Sequence, residues 1–274
     1  MDLVEARSIL GQVREPAATA QWGTSLTTAV QRALAQLFLL NPGDDVDGQM
    51  GARTRAAWGY FKDGAHLANP DLIDAGSVQA LLQAVDNREA VIGKLKVDLQ
   101  PDFEFRRNRA QANREASVAA IIAAARAKGL TSAQIAYILA TAEHESDSFK
   151  TLEEYSSGAQ YENRADLGNT SPGDGVRFKG RGYVQLTGRL NYTRYSDIAG
   201  LQLARYPIIV MNWPALSVFV IVDGMLRGVY TGRRLDEFVN AGKQDFFNAR
   251  RVINGTDRAQ KIADQASDWL RQLG

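Results

Sequence analysis

The sequence predicts a mainly α-helical protein of two domains, with one short β element. Apolar residues recur at helical spacing in several separate segments, whereas only residues 176–187 carry a pattern typical of a strand. The chain has 274 residues, more than the usual single domain, and its 45% hydrophobic content suffices for a sizeable core. We predict an N-terminal module over residues 1–85, a linker over residues 86–102 and a C-terminal module over residues 103–274.

The N-terminal module contains two amphipathic helices around a turn-rich segment. Helical spacing of apolar residues predicts the first over residues 28–39, and Thr28 with Gln31 predicts a capping box at its start. The second is predicted to carry Thr54 through Phe61. The aspartates between the helices invite a calcium site, but an EF-hand loop would need acids where Gly43 and Thr54 stand, so we expect no metal here.

The C-terminal module begins with two strongly helical segments. An apolar stripe that includes Ile121 and Ile122 stops at Gly129, a natural helix end, and Thr131 with Gln134 predicts a capping box for the next helix. That next helix ends in Glu143-His144-Glu145, and a second acidic pair, Glu153-Glu154, follows closely.

Helix geometry does not choose between Glu143 and Glu145. The two side chains fall on opposite flanks of the apolar stripe, and both stand near a helix C-terminus, where the macrodipole disfavours an anion. Partial desolvation by the core acts in the same direction. Both effects favour a protonated carboxyl group, which suits a general acid.

The predicted β element follows a turn at residues 171–175. In a strand over residues 180–187 side chains alternate, so Tyr183, Gln185 and Thr187 would share one face while Val184 and Leu186 pack on the other. Two carboxylates beside neutral hydrogen-bonding side chains are what glycoside hydrolysis requires. The sequence therefore predicts a sugar-binding cleft.

Composition narrows the remaining function classes. The chain has no cysteine and only two histidines, His66 and His144, which form no ligand pair, so thiol nucleophiles and zinc hydrolases are disfavoured and we expect neither metal nor cofactor. A net charge of +1 gives no pull toward nucleic acid. The most apolar segment, residues 207–222, is too short to span a bilayer, and the N-terminus lacks a secretory pattern, so we expect synthesis in the cytoplasm.

Three separated blocks resemble the family 19 glycoside hydrolases, the chitinase-like branch of the lysozyme superfamily that includes many phage endolysins. The blocks stand in the family's order over about 170 residues: His144-Glu145-Ser146, Gly180 through Thr187 with Asn191-Tyr192, and Arg250 through Gly255. The resemblance implies a bilobal, lysozyme-like α-helical domain with a small β-hairpin. It also implies an inverting mechanism.

The resemblance also implies roles for individual residues. Glu145 matches the general acid and Glu154 the general base, with Glu153 as the competitor for the second role. Thr187 matches a residue that helps hold the nucleophilic water. The substrate-binding residues that we expect are His144, Tyr183, Gln185, Asn191 and Asn254.

The N-terminal module resembles the small three-helix peptidoglycan-binding domain. The match covers about sixty residues and includes Gln31, Asp47, Gly48 and Thr54. The leading hypothesis is therefore a monomeric endolysin that cleaves a β-1,4 bond in bacterial peptidoglycan after the membrane is permeabilised. The alternatives are a chitinase with the same catalytic residues and a catalytically inactive cell-wall-binding protein.

Overall fold

The computed structural model describes residues 1–99, 102–107 and 109–274, and confirms that the chain is mainly helical. Residues 100 and 101, which belong to the predicted linker over residues 86–102, lie outside the described residues. None of the helices in the described ranges is both long enough and apolar enough to cross a membrane. The α-helices are α1 Leu3–Leu10, α2 Thr24–Gln36, α3 Ala52–Gly64, α4 Ala75–Asp86, α5 Arg88–Ile92, α6 Ala110–Ala127, α7 Ser132–Glu145, α8 Asp174–Arg177, α9 Arg189–Ala199, α10 Ile209–Asn212, α11 Pro214–Arg227, α12 Phe246–Ala249 and α13 Ala259–Leu273.

The chain divides into two compact units. Unit 1 comprises Met1–Val97 and Tyr195–Asn212, and unit 2 comprises Asp98–Arg194 and Trp213–Gly274. The sequence-based boundaries place residues 195–212 in the C-terminal module, whereas the structure groups them with the N-terminal residues. Backbone hydrogen bonds explain the grouping, since Gln202 donates to the Ile92 carbonyl over 2.8 Å and Lys96 donates to the Ala199 carbonyl over 2.9 Å.

Unit 1 contains α1 to α5 and a two-stranded antiparallel pair, β1 Ala17–Ala18 and β2 Leu72–Ile73. Its core includes Trp58, whose ring meets Trp22 edge to face at a centroid distance of 5.4 Å. The first predicted helix begins earlier than expected, at Thr24. The predicted capping box is wrong, because Thr28 lies inside α2 and its hydroxyl donates to the Thr24 carbonyl.

Gln31 instead holds the loop between α2 and α3. Its buried side-chain amide donates to Asp47 Oδ1, the Gln49 carbonyl and Thr54 Oγ1 over 2.8 to 3.0 Å, and its carbonyl accepts from the backbone of Asp47 and Gly48. A buried amide with every position filled fixes the loop, because leaving any of these groups unpaired would cost free energy. The residues that carry the resemblance to a peptidoglycan-binding domain thus form scaffold.

Unit 2 is organised around α7, which packs against α6, α11 and α13. Thr131 and Gln134 form the predicted capping box at the start of α7, and α6 ends just before Gly129, which adopts a left-handed φ of 73°. The helix is buried along most of its length because apolar residues cover several of its faces. A two-residue antiparallel pair, β3 Val239–Asn240 with β4 Lys243–Gln244, completes the unit.

The predicted strand over residues 180–187 is wrong. A single antiparallel bridge joins Arg181 to Leu186, and the residues between them form a tight turn. The turn results from left-handed backbone at Gly182 (φ 76°) and Gln185 (φ 52°), which a strand does not accommodate. The preceding segment also differs, since residues 174–177 form the short helix α8.

Candidate functional site

The two acidic clusters of the sequence meet at one cavity in unit 2. The cavity has a volume of about 310 Å³, within the usual range for ligand sites. Its lining combines four carboxyl groups and two phenols with one imidazole, one amide and one threonine side chain. The lining residues are His144, Glu145, Asp147, Thr151, Glu153, Glu154, Tyr155, Tyr161 and Gln185.

The end of α7 delivers His144 and Glu145 to this cavity. Three consecutive non-glycine residues follow in left-handed conformation: Asp147 (φ 48°), Ser148 (φ 59°) and Phe149 (φ 63°). Each such residue costs about 1 kcal/mol or more relative to ordinary backbone. The run turns the chain sharply after the helix, and the buried Phe149 ring anchors it in the core.

Long-range partners separate Glu143 from Glu145. The Glu143 carboxylate accepts from Trp269 Nε1 over 2.9 Å and lies 3.5 Å from Arg114 Nη2, so it is bound within the helical packing. The Glu145 carboxylate lines the cavity and accepts from Arg250 Nη1 over 2.7 Å at its Oε1 atom. Of these two acids, Glu145 is therefore the one placed to meet a ligand in the cavity.

Arg250 is a buried residue that fixes the Glu145 side chain. Its side chain is only 4% exposed and that of Glu145 is 17% exposed, so the ion pair is largely shielded from water. The guanidinium is itself held by the Asp257 carbonyl, which accepts from Nε over 3.1 Å. A shielded pair of this kind restricts the rotamer of the acid more strongly than a surface pair would.

Glu154 is surrounded by uncharged hydrogen-bond donors. Its Oε1 accepts from Ser156 Oγ over 2.6 Å, from Gln160 Nε2 over 2.8 Å and from Tyr161 Oη over 3.0 Å. Its Oε2 accepts from the backbone N–H of Gly180 over 3.0 Å. A Cβ at this position would lie 2.7 Å from Gln185 Oε1 and 3.2 Å from Glu154 Oε2, so the glycine leaves room for both side chains as they stand.

Glu153 also lines the cavity but is engaged by cations. Its Oε1 lies 3.2 Å from Lys179 Nζ and 3.9 Å from Arg181 Nε, and its backbone forms an antiparallel bridge with Arg181. The two neighbouring acids therefore have different environments: Glu153 belongs to an ion-pair cluster, and Glu154 belongs to a network of hydroxyl, amide and backbone donors.

Two titratable neighbours of these acids are held neutral. Burial lowers the pKa of His144 below its ordinary value of 6.5; the charge of Glu145 opposes this effect and that of Arg250 reinforces it. Burial raises the pKa of the Tyr161 phenol, the hydrogen bond from Gln160 opposes the rise and the charge of Glu154 adds to it. The phenol therefore stays protonated and can donate to Glu154.

The structure brings four of the predicted site residues together and leaves four outside. His144, Glu145, Glu154 and Gln185 line the cavity. The Thr187 hydroxyl donates to the Gln185 carbonyl, and the Asn191 amide donates to the Thr187 carbonyl, so both residues brace the turn behind the site. The exposed Asn254 uses its side chain to accept from the backbone of Gly255.

Tyr183 does not line the cavity. Its ring is fully buried between Phe105 and Phe149, and its hydroxyl is 2.6 Å from Ser117 Oγ. The expectation that it faces a cleft followed from strand alternation, which the turn at residues 182–185 removes. Tyr183 is part of the core, and its side chain lacks the exposure that the predicted contact with substrate requires.

Sequence reasoning missed several residues of the site. Arg250 begins the third block that carries the family resemblance, so its position was a signal, although its role was not apparent. Tyr161 lies between the first two blocks. Tyr155, 77% exposed at the cavity, and the donors Ser156 and Gln160 had no recognisable pattern.

No protein-family model matches the chain. Across the residues that the structure describes, no group of three or more His, Asp or Glu side chains is arranged to hold a metal ion.

Proposed function

We propose that this protein is a glycoside hydrolase that cleaves β-1,4 bonds in the glycan of bacterial peptidoglycan. The observation that carries the proposal is the meeting of Glu145 and Glu154 at one polar cavity, each held by a different set of partners. Glycosidases use two carboxyl groups in different protonation states, one as acid and one as base or nucleophile. The family resemblance, with its lysozyme-like bilobal fold, adds to this proposal.

Glu145 acts as the general acid. Arg250 occupies Oε1, which leaves Oε2 to carry the proton that is delivered to the glycosidic oxygen. The side chain is mostly shielded and its Oε1 is held by the hydrogen bond from the buried Arg250 guanidinium, so a proton on Oε2 is presented in one orientation. His144, neutral beside it, can donate or accept a hydrogen bond to the sugar without adding charge.

Glu154 acts as the general base. Three donors fill Oε1, while the donor to Oε2 among the described residues is the Gly180 N–H, which leaves a lone pair for the attacking water. Inversion requires roughly 6.5 to 9.5 Å between the two carboxyl groups, so that a water fits on the far side of the sugar. Gln185, which lines the same cavity, is proposed to hold the substrate.

Peptidoglycan is the proposed polymer because unit 1 resembles a three-helix peptidoglycan-binding domain. An attached binding unit raises the local concentration of enzyme on an insoluble substrate. The same proposal includes that the protein acts on the cell wall after the membrane is permeabilised, and that it acts as a monomer without a cofactor.

The substrate is tested by measuring reducing ends released from purified peptidoglycan and from glycol chitin. Rapid release from peptidoglycan, with mass spectrometry showing intact disaccharide-peptide products, supports the proposal. Faster release from glycol chitin would assign a chitinase instead. Release from neither polymer would leave a binding protein and would refute the enzymatic proposal.

The base is tested by comparing Glu154→Gln with Glu153→Gln, two isosteric changes at adjacent positions. We expect Glu154→Gln to lose at least about a thousandfold in turnover, because a general base and its water are removed together. Glu153→Gln should keep most activity, because the Glu153 carboxylate is paired with Lys179 and Arg181 and takes no part in the proposed proton transfer. The reverse order of effects would transfer the role to Glu153.

A further inference from the structure

The loop that carries Glu154 leads into a short 3₁₀ helix, Ala159–Tyr161. Residues 154–158 belong to neither a helix nor a strand. The backbone of such a segment finds its hydrogen-bond partners elsewhere in the chain. A loop that must hold a reacting carboxylate in one orientation depends on these partners, because a site is only as well defined as the groups that support it.

Lys179 supplies such partners from the neighbouring segment. Its ammonium donates to the Glu154 carbonyl and to the Ser156 carbonyl, each over 3.3 Å, and lies 3.2 Å from the Glu153 carboxylate. A lysine ammonium has three N–H donors, so these three acceptors match its capacity. The side chain is only 17% exposed, so water competes little for the same donors.

The backbone of Lys179 is itself held by the core. Its carbonyl accepts from the hydroxyl of the buried Tyr192 over 3.0 Å and from Arg181 Nη1 over 3.3 Å. The next residue, Gly180, is joined to Glu154 twice: its carbonyl accepts from the Glu154 N–H and its N–H donates to Glu154 Oε2, both over 3.0 Å. The ammonium therefore reaches the loop from a fixed position.

The loop also packs on the stem of this lysine. Gly158 has a left-handed φ of 88°, and a Cβ there would lie 2.7 Å from Lys179 Cβ and 2.5 Å from the Gly175 carbonyl oxygen. The glycine thus lets the loop backbone pass close over the lysine stem. The contact involves both ends of the side chain, with the stem against Gly158 and the charged group against the backbone of residues 154 and 156.

We infer that Lys179 is a positioning residue that fixes the loop carrying the base. This inference rests on the proposed role of Glu154. By holding the Glu154 and Ser156 carbonyls, the ammonium fixes the carboxylate relative to Ser156 Oγ, its donor over 2.6 Å. A loop released from these bonds presents the base in a range of orientations, and a misplacement of about 1 Å can cost roughly a hundredfold in rate.

The first test is independent of catalysis and measures hydrogen–deuterium exchange of the full chain by mass spectrometry. Lys179→Met keeps an unbranched stem and removes the ammonium. The Glu154 and Tyr161 amides are hydrogen-bonded, so their exchange reports opening of the loop. We expect exchange in peptides covering residues 154–161 to become at least about tenfold faster, with exchange in α13 unchanged.

The matched control is Lys243→Met. Lys243 likewise donates to a backbone carbonyl, that of Glu237, over 2.9 Å and lies 3.9 Å from Asp245 Oδ2, but it belongs to the β3–β4 pair. Lys243→Met should exchange like the wild type over residues 154–161 and should keep the wild-type kcat.

The second test measures kcat and KM for reducing-end release from purified peptidoglycan. We expect Lys179→Met to lose about ten- to a hundredfold in kcat with KM changed less than about twofold, at a thermal midpoint close to that of the wild type. A higher KM at unchanged kcat would assign Lys179 to substrate binding and overturn the inference.

Chemical rescue separates the ammonium from its stem. The chain has no cysteine, so Lys179→Cys can be alkylated at one position. Bromoethylamine restores an ammonium at nearly the length of lysine, and propyl bromide adds an uncharged chain of similar length. Most of the lost kcat should return with the first reagent and stay lost with the second. Equal recovery with both would show that the stem alone matters. The alkylated pair gives the same comparison if Lys179→Met does not fold.

The two tests distinguish this inference from the proposed function. A wild type that cleaves peptidoglycan, with unchanged loop exchange and unchanged kcat in folded Lys179→Met, would refute the role of Lys179 alone. A wild type that releases no reducing ends, with faster loop exchange in Lys179→Met, would refute the proposed catalysis and leave Lys179 as the residue that holds the loop.

Discussion

Replacing Tyr161 by Phe removes one donor from the Glu154 carboxylate and leaves the ring in place. The lost bond spans 3.0 Å and is one of four to this side chain. A hydrogen bond to a charged group contributes about 1.5 to 3 kcal/mol, and the half-exposed setting of Tyr161 argues for the lower end. The bond also holds Glu154 in one orientation toward its water, and losing about 1.5 kcal/mol of this positioning corresponds to a roughly tenfold lower kcat.

The matched control is Tyr155→Phe. Tyr155 lines the same cavity, but its hydroxyl donates to Asp147 Oδ2 over 3.1 Å instead of to the Glu154 carboxylate. Initial rates of reducing-end release from purified peptidoglycan should fall about tenfold in Tyr161→Phe, with KM nearly unchanged, and less than about twofold in Tyr155→Phe. The acid limb of the Tyr161→Phe pH profile should also move to higher pH. Equal rates in the two variants would refute the role given to this donor.

Three further predictions concern stability. Because burial lowers the pKa of His144, this imidazole gains its proton at a higher pH in the unfolded chain than in the folded one, so its contribution to the unfolding free energy should be steady above about pH 6.5 and fall below it. His144→Gln should show a smaller fall in urea unfolding measured across this pH range. An equal fall would contradict the assignment. Gln31→Leu leaves buried groups of the 47–54 loop unpaired, so the free energy of unfolding measured with urea should fall by about 2 to 3 kcal/mol. An unchanged free energy of unfolding would show that the network does not stabilise the fold. Ser148→Gly relieves left-handed backbone at an exposed position and should stabilise by about 1 kcal/mol in thermal melts; destabilisation would show that the conformation is unstrained.

Local signals in the sequence predicted the helices well. The capping box of Thr131 and Gln134 forms as expected because both partners lie within one turn, and the stripe before Gly129 ends where the glycine permits left-handed backbone. Thr28 failed as a cap because Gln31, its supposed partner, is drawn into a buried network with residues up to 23 positions away. Tertiary partners overrode a local preference there.

The strand prediction failed for a backbone reason. Residues 183–187 alternate as a strand would, but the chain turns at Gly182 and Gln185, and only the glycine could have signalled this. The consequence extended to the site, since Tyr183 was expected at a cleft and lies in the core against Phe149.

The acids of the site required long-range information. Periodicity left Glu143 and Glu145 equivalent, and the structure separates them through Trp269 and Arg250, each more than a hundred residues away. The donors to Glu154 are nearer in sequence, but Ser156 and Gln160 are common surface residues that gain meaning only when the loop is folded around the carboxylate.

Glu145→Gln, assayed on purified peptidoglycan, tests the proposed catalysis most directly. The substitution keeps the size of the side chain and an oxygen that can accept from Arg250, so circular dichroism and the thermal midpoint should stay close to those of the wild type. A glutamine cannot deliver a proton, and we expect reducing-end release to fall by at least about a thousandfold. A folded Glu145→Gln protein that cleaves peptidoglycan at the wild-type rate would contradict the two-carboxylate mechanism.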